Sequence, residues 1–269
     1  MQNIAAVPAE AFLKHPNIQE LICDASVKKI ERRAFAVCPS LRRVIMPGVK
    51  VVERAAFTVC EALTYIECGK LEIVGYQAFY GTSLRSINLP SARIVEELAF
   101  NHCQAMKKVK FSNKLERIVE GTFYGCTSLE RISLPLKDSM ITADNIFQGC
   151  KELKRVDLVE GAILNKTVAA LLWEEWKNDM NEEIYAINQN LVSAPAGNLY
   201  GVSDEGGKAR TIRRGTSSVL RKIVHYKAEH QRILNEAATT LHHVLPHDIV
   251  LDNVLSFLDL PSYTFDGEG

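Results

Sequence analysis

Hydrophobic residues recur in the first part of the chain in a pattern that repeats about every 22 residues. Each unit carries a phenylalanine, then a large aliphatic residue, then a second aliphatic residue three positions later, with polar residues between them. Five of the seven phenylalanines that belong to this repeat follow an alanine. The three columns are Phe12, Phe35, Phe57, Phe79, Phe100, Phe123 and Phe147; Ile18, Leu41, Leu63, Leu84, Met106, Leu129 and Leu153; and Leu21, Val44, Ile66, Ile87, Val109, Ile132 and Val156. Seven copies in register indicate one continuous repeat.

A unit of this length cannot bury its own apolar face, so stacked units must share one core. The segment 41–46 predicts a short strand in each unit, with Leu41, Val44 and Met46 pointing inward. The phenylalanines predict a stacked aromatic spine, and the alanine before each of them indicates a position too tight for a larger side chain. The fold class predicted for residues 1–160 is therefore an α/β repeat, a solenoid of about seven units with short parallel strands.

Two irregularities interrupt the pattern. The unit of Phe79 is one residue short before Leu84, and the last unit carries an insertion around 139–147. We expect both to distort the stack without breaking it.

Five of the seven cysteines occupy one column of the repeat, where Thr82 replaces the cysteine of its unit. These residues are Cys38, Cys60, Cys103, Cys126 and Cys150. Zinc ligands usually come in pairs two to four residues apart, and these cysteines do not. They predict buried rungs with a weak S–H donor rather than a metal site. Cys23 and Cys68 lie outside the column, and each is a candidate for a free surface thiol.

The pattern changes after Leu158. Apolar residues from Val168 to Leu191 follow at spacings of three and four, which predicts an amphipathic helix with Asn165 as its N-cap. We expect Trp173 and Trp176 to pack this helix on the open end of the repeats. Residues 193–216 predict a flexible linker, and a second helix is expected from about 216 to 245. Residues 161–269 are thus predicted to form a helical hairpin or cap with a tail.

The repeat I-x-x-x-A-F-x-x-C-x-x-L-x-x-I-x-x-P resembles the BspA-like branch of the leucine-rich repeat superfamily. The resemblance covers roughly residues 4–158. It implies a leucine-rich-repeat solenoid with parallel strands, whose usual role is protein binding. The helical region (173–176 and 225–230) is similar to tails of BspA-like proteins from unicellular algae.

Charge is balanced overall but segregated along the chain. Lysine plus arginine and aspartate plus glutamate both number 32, which argues against a wholly basic nucleic-acid binder. The side of the predicted strands that faces solvent, here called the strand face, has a net charge of plus six. Its candidate partner-binding residues are Arg42, Arg43, Tyr65, Arg85, Lys107, Lys108, Lys110, Arg131, Lys154 and Arg155. Either these charges are solvated and prevent aggregation, or they recruit an acidic segment of a protein partner.

No catalytic motif is found, so we predict no enzyme activity, no cofactor and no metal site. The favoured function is a non-catalytic protein-interaction scaffold that binds a partner through the strand face, the helical tail or both. One alternative is a ubiquitin-ligase substrate adaptor, because residues 245–258 resemble the opening of an F-box. Another is a structural subunit of a larger assembly. A basic stretch from Lys208 to Arg232 is more simply explained as a solvated helix face than as a nucleic-acid site.

The sequence also gives expectations about location. No apolar run approaches the roughly 18 residues of a membrane span, and the N-terminus lacks the features of a signal peptide. With an odd number of cysteines, we expect an intracellular, cytoplasmic protein with reduced thiols, the nucleus or an organelle being left open. The oligomeric state is not predicted.

Overall fold

In a computed structural model, residues 5–138, 140–159, 173–197 and 207–242 are described. They form two compact units. The first comprises residues 1–159 together with 184–217, and the second comprises 160–183 together with 218–269.

The repeats build two sides of parallel strands. One side is a six-stranded sheet of two-residue strands: β1 (Ala6–Val7), β3 (Lys29–Ile30), β5 (Val51–Val52), β7 (Ile73–Val74), β9 (Ile94–Val95) and β11 (Arg117–Ile118). The other side holds a three-stranded sheet of β2 (Glu20–Ile22), β4 (Arg43–Ile45) and β6 (Tyr65–Glu67), and a four-stranded sheet of β8 (Ser86–Leu89), β10 (Lys108–Phe111), β12 (Arg131–Pro135) and β13 (Arg155–Val159). The predicted solenoid of short parallel strands is confirmed. The two-residue strands were missed, because two residues leave no alternation to detect.

The core lies between these two sides. Leu41, Val44 and Met46 are fully buried, as predicted, although the strand itself spans only Arg43–Ile45, so that Leu41 precedes it and Met46 follows it. Neighbouring phenylalanine rings stack at centroid distances of 4.9 to 5.7 Å with their planes within 9° of parallel. The aromatic spine is confirmed from Phe12 to Phe147.

Both irregular units distort the stack as expected. The ladder of longer strands is interrupted between β6 and β8, within the unit of Phe79, which is one residue short. In the last unit the short strand is reduced to a single bridge at Ile141, followed by a 3-10 helix (Asp144–Phe147). The spine nevertheless continues, since Phe147 stacks on Phe123 at 5.7 Å.

The cysteine column forms buried rungs. All five thiols are inaccessible, and each donates to the carbonyl oxygen of the phenylalanine in the preceding unit, as from Cys60 Sγ to Phe35 O at 3.0 Å. Burial raises the pKa of Cys150 to about 12. The interpretation of Cys23 and Cys68 as surface thiols is wrong. They are 6% and 3% exposed, because each follows a strand at an inward-pointing position equivalent to Met46.

Two long helices follow the repeats: α1 (Trp173–Ser193) and α2 (Lys208–His242). The second helix begins at Lys208, not near residue 216, so the last part of the predicted linker is helical. Ala209, Ile212 and Thr216 are buried at spacings of three and four, a period that the intervening charges obscured. Gly215 lies inside the helix, where a Cβ would meet Ile187 Cγ1 at 2.2 Å. Glycine here permits a close helix–helix approach and is not a linker signal.

Within the first unit, residues 188–213 supply hydrogen-bond partners to the backbone of the last repeat. Asn188 Oδ1 accepts from Val156 N at 2.7 Å on the edge strand β13, and Arg213 Nε donates to Ile141 O at 3.2 Å. Lys208 Nζ donates to Leu153 O at 2.7 Å and to Leu191 O at 2.9 Å. These bonds satisfy main-chain groups that a last repeat leaves unpaired, so this segment is the helical cap of the solenoid.

The packing of the two tryptophans on the open end of the repeats stays a prediction. Trp176 is buried in the second unit, and the side chain of Trp173 lies outside the described residues. In the second unit, Lys222 of α2 bonds to Asp179 at 3.3 Å and Glu183 at 3.1 Å on α1. This contact fits the predicted pairing of the basic second helix with the acidic first helix.

Candidate functional site

All ten candidate residues lie on the strand face, on the outer side of the longer strands or directly before them. Arg131 is half-buried and the other nine are exposed: Arg42, Arg43, Tyr65, Arg85, Lys107, Lys108, Lys110, Lys154 and Arg155. Because strands alternate, residues flanking each buried position point outward and form rows across the strands. The parallel register places Lys108 between Ser86 and Arg131, and Lys110 between Asn88 and Ser133.

Five of the nine predicted cations are paired with carboxylates. Arg43 bonds to Glu20 at 2.9 Å, Lys107 to Glu130 at 3.3 Å, and Lys154 to Glu152 at 2.7 Å. Arg131 and Arg155 share Asp157. Partial burial alone would raise the pKa of Asp157, but the hydrogen bonds from these two arginines lower it. Exposed pairs of this kind contribute about 0.2–1 kcal/mol each, and they neutralise much of the charge that the sequence suggested.

The remaining charge is concentrated on β8 and β10. Arg85, Lys108 and Lys110, here called the cation cluster, form no ion pair within the described residues, and all three are exposed. Lys107 lies beside Arg85, since its backbone N–H donates to Arg85 O at 2.8 Å. Arg42 is also unpaired among the described residues but precedes β4, three strands away. An anionic group approaching the cation cluster meets no competing carboxylate at Lys108 or Lys110.

An apolar patch lies on the same face nearer the N-terminal end. It consists of Ile22, Ile45 and Tyr65, of which Ile22 is 65% and Tyr65 47% exposed. Ile22 pairs with Ile45 across β2 and β4, and Arg43 stacks over the Tyr65 ring at 5.4 Å. The strand-face residues predicted from the sequence begin at Arg42, so Glu20 and Ile22 were not among them. Extending the repeat columns by one unit toward the N-terminus would have found them.

Three other features of the described residues concern metal binding, free thiols and membrane spans. Those residues hold no group of three His, Cys, Asp or Glu side chains that could bind a metal ion. All seven cysteines are free and buried. In the same residues, no helix is long and apolar enough to cross a membrane. The F-box-like segment 245–258 lies outside the described residues, so the adaptor function stays a prediction, as does a subunit of a larger assembly.

Comparison with solved structures finds bacterial leucine-rich repeat proteins. A leucine-rich repeat protein from Bacteroides ovatus is 25% identical with a TM-score of 0.49, covering 57% of this chain and 41% of that one. This chain thus spans less than half the length of that structure. The T. pallidum leucine-rich repeat protein is 24% identical with a TM-score of 0.47, covering 53% of this chain and 72% of that one. A leucine-rich cell surface protein from Faecalibacterium prausnitzii is 15% identical with a TM-score of 0.31, covering 59% and 77%.

No curated protein matches the chain. The repeats themselves match the family described as BspA type leucine-rich repeat region, with six copies, over residues 5–91 and 72–167. The match ends before the helices, so their similarity to algal proteins stays a prediction. Because these matches cover more than half of the chain and the repeats form the expected parallel solenoid, the chain belongs to the family of BspA-type leucine-rich repeat proteins.

Proposed function

We propose that this protein is a non-catalytic interaction scaffold whose strand face binds an acidic segment of a partner protein. Leucine-rich repeat proteins generally mediate protein–protein interaction, and the proposal adds the surface and the chemistry of the partner. The observation that carries it is the cation cluster, whose three side chains are exposed and unpaired within the described residues.

The backbone of this face supports the proposal. The strands are fixed on both sides by parallel pairing, with Lys108 registered against Ser86 and Arg131. The buried residues that alternate with the two lysines hold β10 in place, since Val109 is 2% and Phe111 1% exposed. A charged surface on such a rigid element steers a complementary partner and orients it without a large ordering cost.

The test is a charge reversal with a matched control. A partner is recovered from native extract by affinity purification, and its affinity is then measured for three proteins: the wild type, the double variant Lys108→Glu/Lys110→Glu, and the control Lys114→Glu/Arg117→Glu. The control residues are exposed, change the net charge equally and include Arg117 on the outer side of the short-strand sheet. Lys107 is left unchanged, because reversing it would also break its pair with Glu130.

We expect the Lys108/Lys110 variant to bind at least tenfold more weakly, and the wild-type affinity to fall as salt screens the charges. The control is expected to bind like the wild type. Equal affinity of all three proteins for every recovered partner would exclude the strand face as the binding surface.

The buried free thiols support a second part of the proposal, a reducing intracellular compartment for the protein. The test is fractionation of cells that express the tagged chain. Recovery of the chain outside the cell or in an oxidising compartment would contradict this assignment.

A further inference from the structure

We propose that the strand face recognises a bipartite protein segment. One aliphatic or aromatic side chain of the partner packs on the apolar patch, and carboxylates a few residues away bind the cation cluster. This inference rests on the proposed function and adds to it the order and spacing of the groups that the partner must carry.

The apolar patch is the first observation. Ile22 is 65% exposed although it belongs to a strand. Ile45 lies beside it on the neighbouring strand, and Tyr65 lies on the strand after that. Ile22 and Ile45 are register partners, and Tyr65 is in register with Arg43, one outward position away from Ile45. The three apolar side chains therefore lie on adjacent strands of one face. Covering the isoleucine and tyrosine surface with a partner side chain removes apolar area from water, which favours binding.

The distance between the two surfaces is the second observation. By the repeat register, Ile45 and Lys110 occupy equivalent positions on β4 and β10, with β6 and β8 between them. Paired strands lie about 4.8 Å apart and the ladder is interrupted between β6 and β8, so Lys110 is separated from Ile45 by roughly 14 Å or more and from Ile22 by roughly 19 Å or more. An extended segment advances about 3.3 Å per residue. This distance is about four to six steps along the chain, so a partner segment crossing the strands needs about three to five residues between its apolar group and its carboxylates.

The residues between the two surfaces favour a protein over a nucleic acid. Glu67 and Asn88 occupy the row that joins Ile45 to Lys110, and both are exposed. A nucleic acid carries a phosphate at every step, so one crossing this row would place phosphates against the Glu67 carboxylate. A protein segment can place a polar or basic residue there and acidic residues only at the cation cluster. The face thus fits a sequence with an apolar residue, a neutral or basic spacer and then acidic residues, in either chain direction.

The experiment uses the full chain and synthetic labelled peptides in a fluorescence anisotropy assay. Each peptide has 14 or so residues, one leucine and a pair of glutamates, with two to eight glycine or serine residues between them. A companion series replaces the leucine by serine, and a single-stranded RNA of similar length serves as the nucleic-acid probe. We expect the tightest binding at about three to five spacer residues.

Two variants separate the surfaces. Ile22→Ser is expected to weaken the leucine peptides about tenfold and to leave the serine peptides unchanged, because only the former use the patch. Tyr65→Ser is a second variant of the same patch, and Val192→Ser is the matched control, since Val192 is 58% exposed on α1. Lys108→Glu/Lys110→Glu is expected to weaken both peptide series about tenfold.

The outcomes distinguish this inference from the proposed function. If the acidic peptides bind and the lysine variant weakens them, but neither spacing nor the patch variants matter, the bipartite inference is wrong and the proposed function stands. If neither lysine reversal nor salt affects peptide binding, both are wrong. RNA that binds more tightly than every peptide, with the same dependence on Lys108 and Lys110, would also overturn both.

Discussion

The phenylalanine spine allows a sharp test of how the repeats share stability. Phe79 lies in the middle of the spine, is fully buried and stacks on Phe57 at 5.4 Å and on Phe100 at 5.3 Å. Phe12 lies at the N-terminal end of the spine, is 39% exposed and stacks on one ring among the described residues, that of Phe35 at 4.9 Å. Alanine at the two positions therefore removes the same side chain from two different environments within one structure.

We expect Phe79→Ala to lower the free energy of unfolding by about 4 kcal/mol, because it loses two ring contacts and leaves a closed cavity. For Phe12→Ala the expected loss is about 1.5 kcal/mol. Phe12 is only about three fifths buried, so less buried surface and only one ring contact are lost, and no closed cavity forms because the site opens to solvent.

The measurement is urea unfolding followed by far-ultraviolet circular dichroism, with the slope against urea compared among variants. Phe79→Leu is the control for ring stacking, since it keeps most of the volume and should cost less than Phe79→Ala. Equal losses for Phe12→Ala and Phe79→Ala would refute the reasoning, because stability would then not depend on the number of stacked neighbours. A loss at Phe79 below about 1.5 kcal/mol would do the same.

Three further predictions concern the backbone and the buried groups. Gly81 has φ +67°, so Gly81→Ala should cost about 1 kcal/mol in thermal unfolding, whereas Gly69→Ala, with no atom within 4 Å of the added Cβ, should cost less than half as much. Gly215→Ala should destabilise the protein by about 2 kcal/mol in urea unfolding despite alanine's helix propensity, and Ile187→Ala should reduce that cost in a double-mutant cycle. Burial raises the pKa of Cys150 to about 12. The folded state then keeps a proton that the unfolded state loses above about pH 9, so unfolding titrations should show stability present below that pH and falling by about 1 kcal/mol per pH unit toward pH 12. Cys150→Ala should show less of this fall.

The repeat could be predicted because each unit repeats the same local requirements. Phe35, Cys38, Leu41 and Val44 are buried, and so are their equivalents in most of the other copies, so a weak signal in one unit is reinforced by the others. The sheet of two-residue strands was missed, although Ile30 belongs to the repeat pattern, since a two-residue strand has no period of its own. Its strands exist because the neighbouring units pair with them, which is a tertiary effect.

The start of the second helix could not be predicted for a different reason. Gly215 has the local signature of a linker, and charged residues surround Ala209 and Ile212. The glycine is needed because Ile187 from α1 approaches its backbone, and the alanine and isoleucine are buried in the core of the first unit. Lys208 is buried too, which lowers its pKa, and its ammonium group bonds to two carbonyl oxygens. Because Lys208 stabilises the start of α2 by binding carbonyl groups that are distant in sequence, the residues next to it give no signal of this role.

Charges at equivalent positions of neighbouring units determine which cations of the strand face are paired. Lys107 and Glu130 occupy the same column in adjacent units, so their pairing at 3.3 Å follows from the repeat register once charges are compared between neighbouring units rather than added. Lys108 has Ser86 on one side and Arg131 on the other, and that arginine is bound to Asp157. The net charge of the strand face counts Lys107 and Lys108 equally. Of these two, only Lys108 has an ammonium group without an ion pair among the described residues. The binding surface of a repeat protein is therefore better predicted from the charges that adjacent units leave unpaired than from the net charge of the face.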